Sequence, residues 1–215
     1  MITKDNLKKV LSFLGFEKET VGEYYSKIYS TCSIHVDFDN ETLIYPEDKG
    51  LVVNDRTTSN FSHNENFVVF ECVCRLLDKG YRPEHIELEP KWQLGRDAKS
   101  GKADIVVKDE NGSALIIIEC KTSGAEYNKE IKNTEEYGGQ LFSYWQQENA
   151  ARWLALYTSD WKDGDIVVKD IFTYKQKGLS EDGNVVGEFG MYKRKPIVYD
   201  KMLKKGLTGI KDIFE

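Results

Sequence analysis

Leu7, Val10, Leu11 and Leu14 recur at intervals of three and four near the start of the chain. This spacing predicts a short helix over residues 5–16, with Gly15 at its end. From Ser33 to Phe38 polar and apolar residues alternate, Asp39-Asn40 is turn chemistry, and Leu43-Ile44-Tyr45 fits the returning strand. Residues 1–60 therefore read as a helix and β-hairpin appendage. A stronger pattern starts at Phe61. Between His63 and Lys79, the residues Val69, Phe70, Val73, Cys74, Leu76 and Leu77 share one broad helical arc, and Gly80 is placed to stop the helix. Residues 85–94 alternate as a strand in which Pro90 points to an edge or a bulge. Residues 102–108 and 114–121 form two more strands around an Asn111-Gly112 hairpin turn. The run Leu115-Ile116-Ile117-Ile118 is apolar on both faces, as in a strand at the centre of a covered sheet. A loop over 122–133 leads to a second helix over 135–151, then strands over 153–157 and 165–174, and a short basic helix over 201–214. Helix, three strands, helix, strand is the order of a layered α/β domain. Residues 61–160 form its core and 161–215 a C-terminal extension.

Composition narrows the class. With 215 residues, 40% hydrophobic and 31% charged, the chain has the make-up of one globular domain with a modest appendage. No apolar run approaches the roughly 18 residues of a membrane span. The N-terminus has no signal-peptide pattern, so a cytoplasmic location is expected. Four cysteines are too few for a disulfide framework; Cys72 and Cys74 are spaced neither as a zinc knuckle nor as a redox pair, so reduced buried thiols are expected. His35, His63 and His85 lack metal-ligand spacing. The net charge of −6 argues against a protein that coats nucleic acid through bulk charge. It leaves room for local basic patches: Lys91, Arg96, Lys99 and Lys102 form one, and Met191 to Glu215, with seven Lys/Arg against three acids, forms another.

The chemistry centres on Glu119 and Lys121, which close the most apolar strand. Two apart, they share a face while Cys120 points to the other. An ordinary strand-end salt bridge would explain them. The Asp/Glu-x-Lys pattern itself occurs six times, starting at Glu47, Glu89, Asp97, Glu119, Glu130 and Asp160. Only Glu119 follows a long aliphatic run and has a second strand acid, Asp104, suitably placed upstream. The hairpin brings Asp104 and Glu119 to the same end of the sheet. Two adjacent carboxylates repel unless a proton or cation intervenes, all-oxygen ligands suit Mg²⁺, and a nearby lysine can orient a metal-bound water. On the first helix Glu65 falls inside the apolar arc, although a helix N-terminus also favours an acid. Glu71 falls outside the arc and reads as an exposed i,i+4 partner of Arg75. On the second helix Gln140 and Tyr144 share a face. They fit phosphate, base or stacking contacts, or an ordinary partly buried pair.

Glu65, Asp104, Glu119-x-Lys121 and Gln140-x-x-x-Tyr144, in that order on helix, strand, strand and helix, resemble the PD-(D/E)xK nuclease core. The Gln-x-x-x-Tyr addition and the flanking text Gly101-Lys102-Ala103-Asp104-Ile105 and Ile118-Glu119-Cys120-Lys121-Thr122 resemble RecB-like nucleases and the N-terminal domain of type I restriction enzyme R subunits. Ala103 stands where the family name has Pro. The resemblance covers about Phe61 to Asp160. It implies a restriction-endonuclease-like core, a central mixed β-sheet flanked by helices, and Mg²⁺-dependent hydrolysis of DNA phosphodiesters. It implies Asp104, Glu119 and the Cys120 carbonyl as metal ligands. Lys121 would place the attacking water, and Glu65 would act through a second metal or a water. Gln140, Tyr144, Lys91, Arg96, Lys99 and Lys102 would lie along double-stranded DNA. Methyltransferase and specificity subunits are the implied partners. The chain has no G-x-x-x-x-G-K-[ST], so ATP would enter only through a motor outside it, and no Asn-Pro methyltransferase motif; a fragment of a larger subunit is the expectation. A non-catalytic nuclease-like docking module and a repair or recombination nuclease are the alternatives.

Overall fold

A computed structural model describes residues 1–92, 101–137, 140–141, 144, 148, 151–179 and 185–193. The N-terminal section consists of helix α1 (Lys4–Phe13) and a four-stranded antiparallel sheet, β1 (Glu17–Lys18), β2 (Tyr24–Ile28), β3 (Ser33–Asp37) and β4 (Thr42–Ile44), in sequential order. The expected hairpin is its β3–β4 half. Strand β2 escapes the pattern because all its positions are partly or fully exposed, leaving no alternation to read.

Helix α2 (Asn64–Asp78) forms where the apolar arc predicts it. Gly80, at φ +82°, ends it, its N–H bonding back to the Leu77 carbonyl and that of Tyr81 to Leu76. The main sheet follows: β5 (Val52–Val53), β6 (Ile86–Leu88), β9 (Ile105–Lys108), β10 (Ala114–Cys120), β11 (Trp153–Lys162), β12 (Asp165–Leu179) and β13 (Val185–Lys193). Their spatial order is β13-β12-β11-β10-β9-β6-β5. The β10–β11 and β5–β6 pairs are parallel and the others antiparallel, so the sheet is mixed. The two intervening strands, β7 (Lys91–Trp92) and β8 (Gly101–Lys102), pair with each other in a separate two-stranded sheet. The single strand expected over 85–94 is thus broken: Glu89, at φ +53°, and Pro90 divert the chain from one sheet to another.

The β9–β10 hairpin turns at Asn111-Gly112 as expected. The Asp109 carboxylate accepts the N–H groups of Asn111 and Ser113, each at 2.9 Å. Strand β10 sits mid-sheet, with both faces covered. On one face Ile116, Ile118 and Cys120 pack with α2 and with Leu7, Leu11, Ile34 and Val36 of the N-terminal section in a single core. On the other, Ile117 packs with Val106, Leu154, Leu156, Tyr127, Leu141 and Tyr144. All four cysteines are free and buried.

Two further expectations are corrected. The stretch read as a loop before residue 134 holds helix α3 (Ala125–Tyr137), and Gln140, Leu141 and Tyr144 are helical beyond it. The inward stripe of α3 is Tyr127, Glu130, Ile131 and Thr134; half of it is polar, so apolar periodicity misses it. Glu71 is not exposed but 1% accessible. Helix α2 lies between the main sheet and the N-terminal layer, so burial extends around most of its circumference. Glu71 takes two bonds from the Arg75 guanidinium, at 2.7 and 3.2 Å, and one from the Tyr157 hydroxyl of β11. The basic helix expected at 201–214 lies outside the described residues. Among the described residues no helix is long and apolar enough to cross a membrane.

Candidate active site

The site is built from the alternation of two strands. In β9 and β10, Val106 faces Ile117 and Ile105 faces Ile118. One further step of this ladder sets Asp104 opposite Glu119. Both then lie on the face of the sheet that α3 and Tyr144 cover, and Cys120 lies on the other. Cross-strand neighbours on one face stand about 5 Å apart at Cβ. The Cys120 N–H donates to Asp104 Oδ2 at 2.6 Å, tying the two strand ends together.

Lys121, on the same face as Glu119, extends its amine between two acids. Its Nζ is 2.6 Å from Glu119 Oε1 and 3.4 Å from Glu65 Oε2, at the first turn of α2. Glu119 is 2% accessible, and among the described residues its second oxygen, Oε2, has no hydrogen-bond partner. Gln140 Nε2 donates to the Tyr144 hydroxyl at 3.0 Å. The Gln140 main chain is anchored in turn by Glu130 of α3, whose Oε1 accepts its N–H at 3.2 Å. Glu65, Asp104, Glu119, Lys121, Gln140 and Tyr144 all line one cavity of about 430 Å³. The sequence-predicted constellation therefore converges in space.

Electrostatics follow from this crowding. Burial pushes the Asp104 carboxyl well above the usual carboxylate range, and the neighbouring charge of Glu119 pushes it further. Burial likewise raises Glu119, with Lys121 pulling the other way. Glu65 is raised by burial, again opposed by Lys121. Burial alone would lower Lys121, but Glu119, Asp104 and Glu65 together outweigh it and raise its pKa. The amine is thus held as an ammonium.

Of the expected basic residues, Lys102 is at the cavity wall, where Glu89 (2.6 Å) and Asp55 (3.4 Å) hold it. Lys91 is in β7; Arg96 and Lys99 lie outside the described residues. Sequence reasoning overlooked Glu89, Thr57, His63 and Asn66 as lining residues. Thr57 lies in the section that periodicity set apart, and His63, the N-cap of α2, falls within the predicted core but has no metal-ligand spacing to mark it. Asn66 is held on the wall by the Thr57 and Asn60 carbonyls.

The family comparison bears on this same stretch. Residues 65–157 match the family model of the type I restriction enzyme R protein N-terminus. The matched segment runs from Glu65 at the first turn of α2 to Tyr157 in β11. It contains Asp104, Glu119, Lys121, Gln140 and Tyr144, so the resemblance read from those residues is borne out over the stretch that carries them. The R-protein family is that of a restriction-modification endonuclease subunit. No curated protein matches the chain.

The donor set of the site suits a hard divalent ion. Its lining carries four carboxylates (Glu65, Glu89, Asp104, Glu119) against two amines (Lys102, Lys121), so full ionisation would leave negative charge in excess, and burial raises Glu65, Asp104 and Glu119 against it. The buried Oε2 of Glu119 is an acceptor with nothing to accept. Asp104, Glu119 and a nearby main-chain carbonyl are oxygen donors of the kind that Mg²⁺ takes. Among the described residues, no three acid, His or Cys side chains close on a common point as a cage. The fit is therefore to an ion that keeps several waters.

Proposed function

We propose that the chain is the Mg²⁺-dependent DNA-cleaving domain of a type I restriction enzyme R subunit, with a restriction-endonuclease-like core. It would act on double-stranded DNA in the cytoplasm, together with methyltransferase and specificity subunits. The observation that carries this reading is the buried Glu119 Oε2, without a hydrogen-bond partner among the described residues, beside Asp104 in a cavity with four carboxylates and two amines. Asp104, Glu119 and the Cys120 carbonyl would hold the metal. When bound, Mg²⁺ would supply charge neutralisation at the scissile phosphate and a lowered water pKa.

The chain's own residues account for the rest. Lys121, kept protonated by three acids, is a hydrogen-bond donor and not a base. It can orient the attacking water and share the charge that grows on phosphate oxygens as phosphorus is attacked and the bond to the leaving oxygen breaks. Glu119 Oε1 fixes the direction of that ammonium. Glu65 holds it from the other side and stands where a second water would enter. Gln140 and Tyr144 point one face of their helix at the cavity, positioned to meet the sugar-phosphate backbone. Lys102, held by Glu89, would add a positive charge to the cavity wall.

A non-catalytic docking module draws on one observation, that no three-ligand cage forms among the described residues. Cleavage of plasmid DNA by the assembled complex in MgCl₂ separates the two. Glu119→Ala and Lys121→Ala should each lower the rate by about 10²-fold or more, in line with the loss of a key electrostatic group. Wild-type rates for both would leave only the docking reading.

A further inference from the structure

The strand registers carry a third acid into the site. Leu88 of β6 faces Ile105 of β9, and Ile105 faces Ile118 of β10. One step further along both ladders, Glu89, Asp104 and Glu119 align in a row across three strands, and all three line the cavity. By sequence Glu89 is one of the six Asp/Glu-x-Lys starts, with nothing to single it out. Its surroundings do single it out. It is 7% accessible, and it adopts φ +53° directly before Pro90. That is a left-handed conformation for a residue type that avoids it, at a position where proline favours extended backbone. Such conformations persist where the surrounding structure demands them.

A hydrogen bond and an ion pair show what that conformation achieves. The Glu89 N–H donates to the Asp104 carbonyl at 3.0 Å, and the Glu89 carboxylate lies 2.6 Å from Lys102 Nζ. Asp55, from the N-terminal section, holds the same amine at 3.4 Å. Lys102 and Asp104 are two apart, so one residue grips both ends of this short segment, by main chain and by side chain. A buried carboxylate of this kind is costly unless it is paired. Lys102 is the residue that pairs it.

We infer that Glu89 is a positioning residue of the cleavage site: it holds Asp104 opposite Glu119 and fixes the Lys102 ammonium on the wall where a DNA phosphate arrives. The inference rests on the nuclease reading above, and its test keeps the two apart. Glu89→Gln, Lys102→Met, their double variant and Lys121→Met are compared in the full chain, assembled with its partner subunits. DNA cleavage is followed against Mg²⁺ and DNA concentration, DNA affinity is measured by fluorescence anisotropy in EDTA, and folding by thermal melt.

Glu89→Gln is expected to lower kcat by about tenfold or more, as misplacement of a reacting geometry does. Any loss of DNA affinity in EDTA should be no larger than that of Lys102→Met, because the phosphate contact at stake is the Lys102 ammonium. The double variant should be no slower than Lys102→Met alone, since the side chain acts through Lys102. Wild-type cleavage by Glu89→Gln, or additive losses in the double variant, overturns the inference. So does a loss of activity that merely follows the unfolded fraction. If Lys121→Met also cleaves at the wild-type rate, the nuclease reading falls with it; if Lys121→Met is inactive while Glu89→Gln is not, only the role of Glu89 falls.

Discussion

Arg75→Met removes the cation from a carboxylate that water does not reach. In the wild type, Glu71 is 1% accessible and is bonded twice by the Arg75 guanidinium and once by the Tyr157 hydroxyl. After the substitution only the Tyr157 bond remains. Breaking a buried pair by deleting one partner costs about 3–5 kcal/mol. The Arg75 side chain is 23% accessible, so some water follows it and the lower end applies, about 3 kcal/mol. For a chain of this size 1 kcal/mol moves Tm by about 2–4 °C, giving a fall of about 6–12 °C. Thermal melts by circular dichroism should show this fall. The double variant Glu71→Gln/Arg75→Met, which leaves no charge stranded, should recover most of the loss. A single variant within about 1 °C of wild type, or a double variant worse than the single, would refute this account of the α2 core.

Other outcomes follow from the same coordinates. Burial raises Asp104 and Glu119, so without metal these groups favour the folded state most at low pH and progressively less as pH rises through their raised values. The gain in Tm on adding MgCl₂ should therefore be larger at pH 8 than at pH 5.5, and equal gains would count against a metal held by these acids. Tyr157→Phe deletes a buried hydrogen bond to a charged group and should cost about 1.5–3 kcal/mol in urea unfolding. Gly164 and Gly50 both lie at positive φ, but a Cβ at Gly164 meets nothing within 4 Å, whereas one at Gly50 lies 2.9 Å from Glu84 Cβ. Gly164→Ala should cost about 1–2 kcal/mol from backbone conformation alone, and Gly50→Ala more, as judged by urea midpoints.

What the sequence made legible was whatever wrote itself as an apolar period. Helix α2, the β9–β10 hairpin and the mid-sheet position of β10 all did so, and with them came the meeting of Asp104 and Glu119 at one end of the sheet; their direct opposition did not, because it depends on a one-residue register shift between Ala114 and Ile116 that the turn does not encode. Helix α3 did not, since Glu130 and Thr134 occupy half of its inward stripe. Glu71 misled because a helix covered on two sides buries positions outside its apolar arc. Glu89 was invisible for another reason: its role comes from a left-handed backbone angle before Pro90 and from a lysine thirteen residues on, and no local pattern encodes either. Asp55 and Thr57 reach Lys102 from a section that looked separate, and only the folded chain brings that section to the site.

The central claim is that Asp104 and Glu119 share a divalent ion. A crystal of the chain soaked in Mn²⁺, which replaces Mg²⁺ at oxygen sites and scatters anomalously, tests it most directly. An anomalous peak bridging the two carboxylates, lost in Glu119→Gln, is the predicted result. A peak bound elsewhere, with Glu119 Oε2 still unpartnered, would contradict it.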